Sequence, residues 1–419
     1  MTPNLVLSDG RGNIVVHPSL KMMGMDFGAF VCLDRDELIP LPKGSTFLYL
    51  PSHSAIGWDE ENGSPARIRE FNGHEVFPLA AFMIPGFTRT FLPAAEKLDK
   101  KIILPLWPYT AVGYKNGRFY AAAFMVDVSR HQRPFYYENL TLLKKQIGNF
   151  RKKFPKNRLI KHLSFCALKY NCRNAQNLFF SRWEAPLPVS PACNARCLGC
   201  LSYQGSDCSS ASHERIRFVP TPEEVAEAGA HHLLEARKPM VSFGQGCEGE
   251  PLMQFEVLLE SIKLMRKKTK RGRIHLNTNA SFPGRLKLLA MAGLDSVRVS
   301  TVSFCAENYN IYYRPDRYAF SDVLSSIKEA RLSGLFVSVN LLTFPGFTDS
   351  RSEVESLVRF LKKGYVDLLQ LRNLSIDAEL FKDSGLKAGD RVLGIRKTAD
   401  LLKDEIKGLK LGYFNPAVL

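Results

Sequence analysis

The sequence predicts an α/β protein in which a mainly β N-terminal domain and a basic helical connector precede a repeating strand–helix array. Three observations carry this. Up to about residue 138 short extended runs alternate with turn residues; residues 139–184 read as basic helix; and beyond residue 185 strand-like runs alternate with helical segments, the pattern of a parallel sheet built from βα units. The expected division is 1–138, 139–184, 185–380 for the array, and 381–419 for a C-terminal helix and tail.

In the first part, NLVLS and NIVVH flank Asp9-Gly10-Arg11-Gly12, a hairpin signal, and TFLYLPS and RFYAAAFMVDVS continue the strand pattern. The connector is LTLLKKQIGNFRKKFPKNRLIKHLSFCALKYNC, ended by the loop leading into NLFFSRWEAPLPVS. Six strands are expected in the array: LPVSPA, MVSFG, RIHLNTN, SVRVSTVSF, FVSVNLLTF and VDLLQLRNLSI. The first helix opens at Thr221-Pro222-Glu223-Glu224, where Thr caps, Pro takes the first helical position and Glu closes a capping box. Later helices end at glycine, as in SFPGRLKLLAMAG and FSDVLSSIKEARLSG. Such an array is an open doubly wound sheet or a partial barrel, and in both the chemistry lies at the carboxyl ends of the strands.

At 45% apolar and 23% charged residues the chain is globular, which excludes collagen-like and disordered classes. The longest apolar stretch, HEVFPLAAFMIPGF, is broken by Pro78 and Pro85 and is too short to span a bilayer, which takes about 20 residues. The N-terminus lacks the basic and apolar regions of a secretory signal, so a cytoplasmic protein is expected. Against 41 Asp plus Glu stand 57 Lys plus Arg, a net charge of +16 that favours a polyanionic partner. Nine cysteines without a secretion signal point to thiolates kept for metal or chemistry, not to a disulfide framework.

CNARCLGC follows the first strand, at the chemical end of the array, and puts Cys193, Cys197 and Cys200 on one compact loop. Three thiolates so spaced hold three corners of an iron–sulfur cube and leave the fourth iron open. The alternative is a structural zinc site, closed by Cys208 or a histidine.

GQGCEGEP follows the second strand and LNTNAS the third. With the six βα units, these motifs resemble the radical S-adenosylmethionine superfamily over about residues 185–376. The resemblance implies a partial (β/α)6 barrel and a four-iron four-sulfur cluster on Cys193, Cys197 and Cys200, whose open iron takes the amino nitrogen and carboxylate of S-adenosylmethionine. It implies reductive cleavage of the sulfonium to a 5′-deoxyadenosyl radical that abstracts hydrogen from a substrate, and a one-electron donor such as flavodoxin or ferredoxin. Glu250, in Gly249-Glu250-Pro251, then accepts a hydrogen bond from the methionine ammonium while Gly249 allows close backbone approach. Asn277, Asn279, Ser300 and Ser303 stand where the family places polar contacts to ribose and carboxylate; Asn340 and Gln370 have weaker claims. Where the family often has an aromatic residue before the last cysteine, this chain has Gly199, which leaves adenine stacking to Tyr203. The lengthened approach to GEP inserts Cys247 and Glu248 at the mouth, facing substrate, with Cys247 as a catalytic thiol or, with Cys166, Cys172 and Cys208, a ligand of a second cluster.

The basic run from Lys144 to His162 is a groove for RNA or a solvated helix face. The run from Lys263 to Arg273 lies at the opposite rim and complements a helix dipole. ENYNIYYRPDRYAF either stacks on bases or packs as a lid over the mouth. The substrate reading is RNA narrowly ahead of a peptide or protein, and the alternative from another class is a non-catalytic zinc or iron–sulfur protein that binds nucleic acid.

Overall fold

The computed structural model describes residues 2–128, 134–202, 211–212, 214–389 and 391–416. Its centre is one sheet of seven strands, all parallel and adjacent in chain order: Arg182–Pro186, Arg237–Phe243, Arg273–Thr278, Ser296–Thr301, Phe336–Thr343, Leu368–Asn373 and Lys410–Gly412. The sheet curls into a partial barrel. The alternation along the strands explains the curl's two faces. Ile274, Leu276, Val297, Val299, Val337, Val339 and Leu369 are fully buried against the surrounding helices. The positions between them bond to one another across the strands on the inner face, as His275 does to Ser296 and Asn340 to Ser300.

Two expectations about this sheet are corrected. The first strand is Arg182–Pro186, and LPVSPA is the start of the loop beyond it. Leu187 N–H still reaches Ser242 O at 2.8 Å, but Pro186 and Pro188 have no N–H to continue the ladder. A seventh strand, Lys410–Gly412, adds to the expected six; at three residues it is too short to show a period. Beyond it Asn415 lies between Gln370 Nε2, at 3.0 Å, and Glu184 Oε1, at 2.9 Å, so the tail bridges the barrel from the sixth strand to the first.

The N-terminal part is a 13-stranded sheet whose pairings are antiparallel. Asn4–Ser8 and Ile14–Asp26 form the expected hairpin, with Ser8 opposite Ile14. Asp9 Oδ1 closes its turn by accepting the N–H groups of Arg11 and Asn13. This sheet docks beside the barrel's chemical rim: Phe27 sits among Phe344, Phe347 and Phe381, and Lys97 pairs with Asp377 at 3.0 Å in a buried contact.

The connector is three helices, Leu140–Lys153, Arg158–Lys169 and Arg173–Phe179; the third occupies the stretch expected as a loop before NLFF and runs on into NLF. Five of its seven residues are buried, so packing makes a helix of a segment too short to announce one. The connector lies on helix Pro222–Glu235, whose capping box is as expected. Asn157 Nδ2 donates to Glu224 O at 2.8 Å, and Arg158 pairs with the Glu224 carboxylate at 2.7 Å. Lys144, Lys145, Arg151, Lys152, Lys153, Lys156 and Lys161 are all exposed. At the opposite rim Arg271 donates to Leu234 O and Ala236 O at the end of the same helix, which is the dipole role expected of the second basic run. Among the described residues no helix is long and apolar enough to cross a membrane.

Candidate active site

The loop after the first strand is strapped down on both sides. On one side Gly249 N–H donates to Ser190 O at 2.7 Å and Glu250 N–H to Ala192 O at 2.8 Å. On the other, Arg196 N–H reaches Tyr313 O and Leu198 N–H reaches Tyr312 O, at 2.9 and 3.0 Å. Asn194 adds a third strap, accepting from Asn279 Nδ2 and donating to Ser281 Oγ, each at 2.9 Å. The approach at Gly249 is so close that a Cβ there would stand 2.0 Å from Ala192 O, which only glycine avoids. Gly199 is likewise forced: a Cβ would meet Tyr312 Oη at 2.8 Å.

Within this frame Cys193, Cys197 and Cys200 share one loop. Burial pushes the Cys193 thiol up to about 11, with the Glu250 carboxylate adding to the rise, and pushes Cys197 well above the usual thiol range with help from Cys200 and Cys193. Among the described residues no three Cys, His, Asp or Glu side chains close to the distance of a single metal ion. A cube needs three thiolates from one loop, each binding a different iron, and leaves the fourth iron open. The donor set fits the cluster.

Glu250 is 3% exposed and lies near Cys193. Its carboxylate accepts from Thr278 Oγ1 at 2.5 Å, Asn279 N–H at 2.7 Å and Leu252 N–H at 3.0 Å, while burial pushes its pKa up to about 7. A cationic group against this buried acid would offset its desolvation, as a ligand ammonium does. Pro251 starts the short turn Pro251–Gln254 at the position where a missing N–H costs nothing.

The other expected residues separate into two groups. Asn279, as above, ties the third strand to the cysteine loop, and Asn277 works inside the barrel, donating to Phe243 O at 2.7 Å and facing His275 Nε2 at 3.1 Å. Ser300 accepts from Asn340 Nδ2 at 3.1 Å. Ser303 is not turned to the cysteine loop: it donates to Glu353 Oε1 at 2.9 Å and receives Cys305 N–H, holding the loop after the fourth strand.

Cys247 and Glu248 correct the expectation that they face substrate. The Cys247 thiol is buried against Cys166 on the connector, and contact with Cys166 together with burial raises its pKa well above the usual thiol range. Cys166 and Cys172 of the connector are its neighbours. Cys208 and Tyr203 lie outside the described residues. Glu248 turns inward as well, and its two oxygens accept four backbone N–H groups, from Val189, Ser190, Gly244 and Gln245. This one side chain joins the loop after the first strand to the loop after the second. Burial pushes it up to about 8 against the pull of those four donors.

ENYNIYYRPDRYAF does not cover the mouth. It folds into helix Ala306–Tyr313, whose Tyr309, Tyr312 and Tyr313 are buried beneath the cysteine loop. Arg215 was not anticipated; its Nη2 lies 3.8 Å from Cys200 Sγ and its Nε donates to Ser202 Oγ at 3.2 Å. One of three charged side chains in HERIRF, it carries no sequence signal for such a contact.

Comparison with known proteins agrees with this geometry. The profile of the Radical SAM superfamily matches residues 187–361. GTP 3',8-cyclase 2 of Mycobacterium bovis is 32% identical over 209 residues, 48% of this chain and 53% of the relative. The probable dual-specificity RNA methyltransferase RlmN of Thermotoga sp. is 25% identical, covering 51% of this chain and 62% of its own. The chain thus spans about half the length of the first of these relatives. Among solved structures, the FeFe-hydrogenase maturase HydG of Carboxydothermus hydrogenoformans is 14% identical, covering 65% of this chain and 69% of its own with a TM-score of 0.39. With its cysteine loop, its Gly-Glu-Pro turn and its curled parallel sheet, residues 187–361 form a domain that matches the radical SAM superfamily, whose members use a four-iron four-sulfur cluster and S-adenosylmethionine.

Proposed function

We propose that the protein is a radical SAM enzyme in which Cys193, Cys197 and Cys200 hold the cluster and Glu250 receives the ammonium of S-adenosylmethionine. One observation carries this reading: the Gly-Glu-Pro turn and the cysteine loop are hydrogen-bonded into a single platform, with Glu250 beside Cys193. When bound, the two groups supply one-electron cleavage of the sulfonium and a 5′-deoxyadenosyl radical that takes hydrogen from the substrate. The chain's own residues do the placing. Glu248 and Asn194 hold the loop, Asn279 fixes the distance from the third strand to it, and the buried tyrosines keep water from its underside. The anaerobically reconstituted protein should bind about four irons and, reduced by a one-electron donor such as flavodoxin or ferredoxin, form 5′-deoxyadenosine. The triple change of Cys193, Cys197 and Cys200 to Ala should abolish both. Full iron with cleavage intact in that variant would overturn the assignment.

RNA is the substrate class we favour, on the exposed basic face of the connector and the likeness to an RNA methyltransferase. Binding that neutralises phosphates weakens steeply with salt, and reversing Lys152 and Lys153 to Glu should lower affinity for any RNA sequence. Binding indifferent to both would move the reading to a peptide or protein.

A further inference from the structure

The inner wall of strands four to six carries charge that the cofactor contacts leave unused. Alternation fixes which residues face inward: Val297 and Val299 are fully buried on the helix side, so Arg298 between them points into the lumen. There its Nη1 reaches Gln370 Oε1 only at 3.4 Å, and its Nε, buried, has no hydrogen-bond partner. On the next strand Asn340, which the ladder sets opposite Ser300 and Gln370, gives its Nδ2 to Ser300, while its buried Oδ1 has no partner. Arg372 of the sixth strand lies near enough for the two cations to disfavour one another, and its guanidinium stacks on Tyr413 at 5.0 Å. Glu184 is the carboxylate that faces Arg298, but its Oε1 already collects Ser242, Gln245 and Asn415. Burial, with Arg372 next, holds Arg298 down to about 9, the mark of a cation without adequate compensation. A buried charge is kept at such a cost where something of opposite sign meets it.

We infer that the part of the substrate held in the lumen bears an anionic group, a phosphate or a carboxylate, bound by Arg298 with Arg372 beside it, and next to it a hydroxyl or N–H that donates to Asn340 Oδ1. This rests on the reading of the rim as the S-adenosylmethionine site. The anion does no chemistry; it sets which substrate carbon is presented to the radical.

The test is calorimetric titration of the reconstituted protein, loaded with S-adenosylmethionine, with inorganic phosphate and separately with acetate. One of the two should bind at a single site, and which one does names the anion. Arg298→Gln and Arg372→Gln should each weaken it about ten-fold or more, as loss of a charge-assisted contact does, with affinity for S-adenosylmethionine little changed. Reversal of the exposed Lys152 and Lys153 to Glu should leave it as in the wild type. Both arginines are half-buried, and the Arg372 variant keeps the test open if Arg298→Gln fails to fold. Absence of binding by both probes, equal binding in the Gln variants, or loss with the surface reversal would each overturn the lumen site. So would a large loss of S-adenosylmethionine affinity in Arg298→Gln, which would assign that arginine to the methionine carboxylate. Wild-type protein that binds no S-adenosylmethionine at all would instead strike the reading of the rim.

Discussion

Glu248 and Arg298 are both enclosed charged side chains of one barrel, yet their surroundings differ in kind. Glu248 receives four backbone N–H groups, and around it Glu250 has three donors and Asn277 a partner at each end of its amide. Arg298 has one long contact and a bare Nε, and Asn340 beside it has a bare Oδ1. The rim of strands two and three must hold a loop in place before any ligand arrives, so the protein completes its own bonds there. The lumen of strands four to six contributes nothing to that placement and is free to keep groups unmet. Burial alone therefore does not mark a binding group, and neither does one bare atom, since Arg89 Nε is buried without a partner at the seam with the N-terminal sheet; what sets the lumen apart is that Arg298, Arg372 and Asn340 gather on one inner wall.

The contrast can be broken first at Glu248. Glu248→Ala strips the acceptor from four backbone N–H groups, two of them buried at about 1–3 kcal/mol each before relaxation, so the variant should melt far lower and reconstitute with little iron. Calorimetry and iron analysis measure this, and a variant equal to the wild type in both would mean the rim does not depend on this carboxylate. Next comes Glu250→Gln, which keeps the shape and removes the charge. Affinity for S-adenosylmethionine should fall about ten-fold while iron content stays, the difference between a charge-assisted and a neutral hydrogen bond.

A matched pair sharpens the comparison within one residue type. Asn277→Ala loses two good contacts and exposes Phe243 O, so unfolding should become easier by about 1–3 kcal/mol; Asn340→Ala, which loses one 3.1 Å contact to Ser300, should cost no more than about 1. Chemical denaturation of the two variants side by side would show equal losses if the lumen were as structural as the rim. The smallest effect belongs to the connector. Burial alone would raise Glu224, but Arg158 and the Thr221 N–H hold it down to about 2, below the usual 4.5. The stability it contributes is present above pH 4.5 and is lost as pH falls toward 2. Because Arg158 is half exposed, solvent screening limits the contribution to about 0.5–1 kcal/mol. Arg158→Ala should remove about that much at pH 7 and almost none at pH 2, a difference visible in acid denaturation profiles.

What could be read in the sequence was what lies contiguous in it. CNARCLGC and GEP are short strings whose residue types state their chemistry, and the strands behind them are long apolar runs. What escaped depends on partners far along the chain. Cys247 sits two residues before Gly249, yet which way its thiol turns is decided by Cys166, some eighty residues earlier. The tyrosines of ENYNIYY read as a lid because nothing local says that Leu198 N–H will donate to the backbone carbonyl of Tyr312. Arg298 did leave a trace: SVRVST and LLQLRN each carry an arginine in a strand otherwise uncharged, a pattern more telling than the glycine pairs and charge runs that draw the eye.

Arg89 ties the N-terminal sheet to the barrel through a run of hydrogen bonds to both. Its side chain spans Tyr109 O, at 3.1 Å, and Leu374 O, at 2.8 Å, its own N–H reaches Asn373 Oδ1, and Thr88 beside it reaches Leu371 O. An arginine fully enclosed in this way cannot be peeled from either partner without stranding a charge, so opening the seam costs as much as breaking a core. The two parts should therefore melt as one cooperative unit and not in succession, which a single calorimetric transition would show and two resolved transitions would exclude.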